Sequence, residues 1–379
     1  MRALAIALGA AVLAVPAAAA PAATAGKMAY VHGRSGVVID LSSGLRQTFR
    51  LPRTGVPRWS GDGHLVSFGG YIVSGGVQLP TAELTWAPAG ERAAYVTRQG
   101  GVRVWSPSRE RRIAPDGWGA QGVVWSRDGS LALGRAVCQA ACGLPKQTEI
   151  WIWRQGSLQR LLASDGGRPV PLTWHNGRVL WWDWPNSGSI AADGVALYEN
   201  KTRIATALMY DDYVASCGSH LAVAAGGDRF STHGKHILFD GRDVSHDTTR
   251  SWVSPSCTTG RRLVAAAGRN WEETRFGDER RSIWQLLPSR RQLTRPPPGW
   301  TDEFPHLLAN GNVLFVRTRQ VPFSRSGAWW TTTHAKIELL RRSTLAAVAT
   351  LKFTAPEIGS DFINYYGHYD WPSRIAVTR

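Results

Sequence analysis

After its first twenty residues the sequence has no apolar run long enough to cross a bilayer. A membrane span in the mature chain is therefore not expected. Long charged amphipathic runs are also missing, while Gly (40) and Pro (21) are plentiful. That balance favours many short strands joined by turns over helices. No Gly-x-Ser-x-Gly occurs, and no α/β segment follows the strand-rich part, which disfavours a propeller peptidase with an attached hydrolase domain. No Asp-x-Asp-x-Asp-Gly calcium loop is present. Cysteine is limited to four residues. Acid is scarce too: 28 Asp and Glu face 44 Lys and Arg, a formal charge of +16. Nucleic acid, anionic lipid and acidic wall polymers are the usual partners of such an excess.

What is present begins with "MRALAIALGAAVLAVPAAAA": one Arg, an Ala/Leu/Ile/Val run, then small residues. This is the layout of a secretory signal peptide, expected over residues 1–20 and followed by a short linker at 21–26. No Cys follows the run, so lipid attachment is not expected, and the mature chain is placed outside the cytoplasm. An even cysteine count in an exported chain points to two disulfides among three possible pairings. The spacing in "CQAAC" favours a local Cys138–Cys142 loop, leaving Cys217 with Cys257. A zinc site is the rival, but only one of these pairs is close in sequence.

A turn element recurs along residues 27–379, the expected single domain. It reads "PRWSGDGHLVSF", "LTWAPAGERAAYV", "VVWSRDGSLALG", "LTWHNGRVLWW", "VASCGSHLAVAA", "SPSCTTGRRLVAAA" and "PHLLANGNVLFV". Its anchors are Trp59, Trp86, Trp125, Trp174, Cys217, Cys257 and Leu307, with gaps of 27, 39, 49, 43, 40 and 50 residues. A period near forty suits a four-stranded propeller blade. A second hairpin follows the anchors, as in "EIWIWRQGSLQRLL". There Ile150 and Ile152 face one side and Trp151 and Trp153 the other. A sheet apolar on both faces is stable only between neighbouring sheets. The expected fold is all-β, a single β-propeller, with seven blades preferred over six or eight. "YIVSGGVQLP", after the short unit at Trp59, decides between seven and eight. The ring should close by N- and C-terminal strands sharing one blade. The recurring Trp residues are expected to pack between blades.

The "WSxDG" turns and their outer strands resemble the TolB-like, WD40-like propeller repeats of exported bacterial proteins. The resemblance implies the propeller and an envelope or secreted setting. It departs from TolB in having no room for a separate domain before residue 27, so TolB's partner binding does not carry over.

Arg46, Arg50, Arg109, Arg111, Arg112, Arg160, Arg203, Arg290, Arg291 and Arg295 fall on or beside the last strand of a unit. Charge there blocks edge-to-edge pairing, which explains much of the basic excess without nucleic acid. The long insertions should crowd one face of the ring. They carry Trp118, Trp184, Trp271, Trp300, Trp329 and Trp330, with Arg317, Arg319 and Arg325 nearby. These rings and guanidinium forks are the expected binding surface for an envelope or secreted protein. A glycan or anionic wall polymer is the first alternative. A propeller hydrolase or lactonase using acidic residues around the central channel is the second. His233, His236 and His246 lie near Asp240, Asp243 and Asp247, but strand positions three apart diverge, so ordinary turn residues are expected. "GWGAQG" opens no helix and is not read as a phosphate loop. No cofactor or metal is expected.

Overall fold

In the computed structural model the chain is a single all-β propeller of eight four-stranded sheets. The structure describes residues 26–137, 147–165, 167–185, 194–226, 235–247, 249–269, 280–322, 330–352 and 369–378. The expected leader, Cys138 and Cys142, His233, Trp271, Arg325 and Trp329 lie outside the described residues. Among the described residues no helix is long and apolar enough to cross a membrane.

Blade 1 combines Lys27–His32, Ser35–Asp40 and Arg46–Arg50 with the C-terminal strand Ile375–Val377, which pairs with Lys27–His32. The two ends of the chain thus share a blade, and Val377 takes the anchor position absent before residue 27. The inner strands of blades 2 to 8 are Pro57–Trp59, Thr85–Trp86, Ala120–Trp125, Gly167–His175, Val214–Cys217, Arg250–Cys257 and Trp300–Leu307. Each anchor named from the sequence stands at or next to the end of one of these strands.

The count of seven is corrected to eight by the unit at residues 57–78. "YIVSGGVQLP" supplies the third and fourth strands of blade 2, Tyr71–Ile72 and Val77–Gln78, around a 3-10 turn at Ser74–Gly76. Strands of two residues carry no readable alternation, so this blade looks like a loop in the sequence.

Buried apolar clusters fill the gaps between blades. Ile150 packs with Val179 and Trp181 of blade 5, while Trp151 and Trp153 pack toward Val102 and Val104 of blade 3. The junction of blades 8 and 1 buries Met28, Tyr30, Leu314, Val316 and Ile337. The fourth strands carry the exposed arginines, as in Arg46–Arg50 and Arg109–Ala114.

The "WSxDG" turns explain their own composition. Ser126 Oγ donates to Asp128, and the Ser130 amide donates to both Ser126 Oγ (3.1 Å) and Asp128 (2.9 Å). Gly129 closes the turn at a φ of 81°. These hydrogen bonds hold the Asp128 carboxyl down at about 2.

The anchors also bond across blades. The indole N–H of Trp59 donates to the Ala376 carbonyl (3.2 Å), that of Trp125 to Thr85 (3.1 Å) and that of Trp174 to Val124 (3.2 Å). In each case the acceptor is the residue just before the preceding blade's anchor. Trp86 donates instead to Ser67 Oγ (3.1 Å). Between blades 6 and 7 the anchors are joined covalently, Cys217 to Cys257, with Cα atoms 5.8 Å apart. Blade 8 is tied to blade 7 by the Leu307 amide donating to Ser256 Oγ (2.9 Å).

Candidate functional site

Propeller topology puts the start of every inner strand, and the connections between second and third strands, on one face. Charged residues from four blades meet at the channel mouth on that face. Arg58 lies on the inner strand of blade 2, Glu83 just before that of blade 3 and Asp211 in the 3-10 turn Asp211–Tyr213 before that of blade 6. Asp370 precedes the turn Trp371–Ser373, which leads into the closing strand of blade 1.

Blades 2 and 6 face each other across a ring of eight, yet Arg58 Nη2 lies 3.8 Å from Asp211 Oδ2. The same nitrogen donates to Glu83 Oε1, and Nη1 donates to the Pro372 carbonyl (3.1 Å). The guanidinium therefore bridges the axis. Glu83 and Asp211 keep 52% and 61% of their side-chain surface accessible. Asp211 is thus open to solvent. Burial pushes its carboxyl up to about 6; Arg58 opposes this, and Glu83, Asp370 and Asp212 add to it. Burial works against the charge on Arg58, but the carboxylates of Glu83, Asp211 and Asp370 outweigh it and raise its pKa. Next to the mouth, Ser254 Oγ of blade 7 donates to Asp212 (2.5 Å).

Of the residues singled out from the sequence, Trp118 is half-buried. It meets Trp151 edge-on at 5.9 Å and lies under the Arg135 guanidinium at 5.0 Å. Trp300 is half-buried beneath the Lys336 ammonium, 5.1 Å from the ring. Arg317 grips the fully buried Asp302 with two hydrogen bonds (2.6 and 2.9 Å), and Arg319, exposed, pairs with Trp300 across the strands. Trp184 and Trp330 lie in strands, and their side chains are outside the description. Trp300, Arg317 and Arg319 share blade 8, whereas Trp118 leads into blade 4, half-way round the ring. These four do not form one continuous patch. Asp240 accepts from His220 (2.8 Å), Asp243 from Ser245 (2.7 Å) and Asp247 from Arg250 (2.6 Å) and Arg290 (2.5 Å). Among the described residues no group of three or more metal-ligating side chains converges.

The channel residues escape a sequence reading because each comes from a different repeat. One signal was available: Arg58 is next to the anchor Trp59, and Glu83 lies three residues before the anchor Trp86, on or just before an inner strand in each case.

No protein family profile matches the chain, and no curated protein matches it. Among solved structures it is similar to an acylaminoacyl peptidase from Pyrococcus horikoshii, with 10% identity over 83% of this chain and a TM-score of 0.47. The chain spans 48% of that peptidase's length. It is also similar to the β-propeller domain of the trilobed protease from Pyrococcus furiosus, with 13% identity, 69% of this chain, 90% of that one and a TM-score of 0.40. TolB from Acinetobacter baumannii aligns at 11% identity over 88% of this chain and 65% of its own, with a TM-score of 0.35.

Proposed function

We propose that this is an exported, non-enzymatic binding propeller that receives a segment of another protein at the loop-side mouth of its central channel. A cationic group of the partner competes with Arg58 for Glu83, Asp211 and Asp370. The observation that carries this reading is the Arg58–Asp211 contact across the axis: an exchangeable, wetted ion pair with carboxylates from three blades around it. Such charges favour register and partner choice more than raw affinity. The Cys217–Cys257 bond supports an oxidising, extracytoplasmic setting.

A photoreactive residue in place of Glu83 tests the reading in intact cells, since it leaves Asp211 and Asp370 in position. One dominant protein adduct is expected, falling about tenfold, the equivalent of one lost charge pair, when Asp211→Asn and Asp370→Asn are added. An adduct unchanged by those substitutions, or formed equally from position 109 on the outer edge of blade 3, overturns it.

A second reading rests on Asp211 alone. A carboxyl held near 6 beside a guanidinium in a channel is the environment that general acids and bases use. Hydrolysis of an ester or lactone panel that disappears in Asp211→Asn would replace the binding reading with a hydrolytic one.

A further inference from the structure

On the opposite face, where the first-to-second and third-to-fourth turns emerge, a cavity of about 490 Å³ opens between blades 7 and 8. Its floor is apolar and built from inner and middle strands, with Val264, Val313 and Leu340 each buried. Three arginines reach it from three separate elements. Arg262 ends the first turn of blade 7, Arg291 lies on the outer strand Arg291–Gln292 of that blade, and Arg342 lies in the last turn of blade 8. Among the described residues no carboxylate lines the cavity, and none of the three arginines forms an ion pair.

This contrasts with the other arginines that line gaps between strands. Arg135, Arg281 and Arg317 are each matched by a buried acid. At the cavity two of the guanidiniums lie against neutral groups instead. Arg291 Nη2 donates to Gln285 Oε1 (3.4 Å), and the Gln285 amide is itself fixed by donating to the Ser289 carbonyl (3.0 Å). Arg262 lies against the turn at Gly311, where an added methyl carbon would stand 2.4 Å from Nη1. Three like charges around one hollow repel each other, and a bound anion removes that repulsion. Guanidinium forks match phosphate and carboxylate oxygens in a bidentate way. The volume lies within the range of small-ligand sites, and the apolar floor suits a sugar-sized body.

The geometry points to a second binding site, for a phosphate- or carboxylate-bearing saccharide or polyol, with its anionic group among Arg262, Arg291 and Arg342 and its body against the apolar floor. The site is independent of the channel mouth. It also gives part of the basic excess a specific purpose beyond edge protection.

Calorimetric titration of the purified chain with glucose 6-phosphate, glucuronate and neutral glucose tests it. One of the two anionic sugars should bind with a stoichiometry of one, and glucose should not. The tighter of the two identifies the anion source. Arg262→Gln and Arg342→Gln should each weaken that binding about tenfold or more without a change in melting temperature. Arg109→Gln with Arg111→Gln, which removes two charges from the exposed outer strand of blade 3, should leave it intact. Absence of binding by both anionic sugars, equal affinity in the Arg262 and Arg342 variants, or an equal loss in the Arg109 and Arg111 variant overturns the assignment.

Discussion

At blades 2, 4 and 5 an indole N–H ties each inner strand to the one before it; between blades 6 and 7 the same repeat position is joined by a disulfide. The Trp acts twice, filling the wedge between sheets and satisfying a neighbouring carbonyl. The Cys pair fills little volume and constrains the unfolded chain instead. The small anchors are accompanied by other bulk. Trp252 and Tyr213 are fully buried at the junction of blades 6 and 7, where no anchor Trp is available. One structural requirement, a tie near the axis, is thus met either by packing or by a covalent bond. Only the second depends on the compartment.

The largest difference should come from removing the bulk. Trp125 is 8% exposed, packs with Leu131 and Leu133, and carries Arg92 over its ring at 5.3 Å. Trp125→Ala is expected to cost about 3–5 kcal/mol in urea unfolding, because the rigid wedge cannot collapse into the void. Cys217→Ser with Cys257→Ser should cost about 2–4 kcal/mol, the loop-entropy scale for a cross-link spanning 40 residues. A reductant should lower the stability of the wild type by the same amount beyond whatever it does to the double variant, which keeps Cys138 and Cys142. If it destabilises the two proteins equally, the tie lies elsewhere.

A smaller change isolates the polar half of the Trp tie. Trp125→Phe keeps most of the ring in place but leaves the Thr85 carbonyl without its 3.1 Å donor. About 1 kcal/mol of destabilisation is expected. A loss as large as that of the Ala variant would mean that the hydrogen bond carries the tie, and no loss at all would mean that packing accounts for the whole effect.

The same comparison explains how much could be read from the sequence. Trp59, Trp86, Trp125 and Trp174 are large and stand at the same point of a recurring turn element, so the repeat, the propeller and the inter-blade role of these rings were legible. The Cys217–Cys257 pair was legible by elimination, once the close spacing of Cys138 and Cys142 set those two aside. Blade 2 was not, since its strands are too short to show a period. The channel mouth was not either. Arg58, Glu83, Asp211 and Asp370 are ordinary surface types scattered over four repeats, and only closure of the ring brings them together. Arg317 was legible as a charge but not as the partner of Asp302, because a strand register decides whether a guanidinium faces a buried acid or solvent.

The smallest effect concerns that closure. The Asp211 carboxyl sits at about 6 in the folded chain, above the ordinary carboxylate value near 4. Between these two values the folded state binds more protons at this site than the unfolded state does. Stability therefore falls as pH rises through the window: the contribution is fully present below about 4 and lost above about 6. The side chain is 61% exposed, so water damps the amplitude. Asp211→Asn removes the titrating group but not the neighbouring Arg58, Glu83, Asp370 and Asp212. Melting temperatures of the two proteins, compared from pH 4 to 7, should draw together or cross in favour of Asn as pH rises through about 6. A difference that stays constant over the range would mean that Asp211 ionises in the channel as freely as in the unfolded chain. The ion pair across the axis would then be no more than a surface contact.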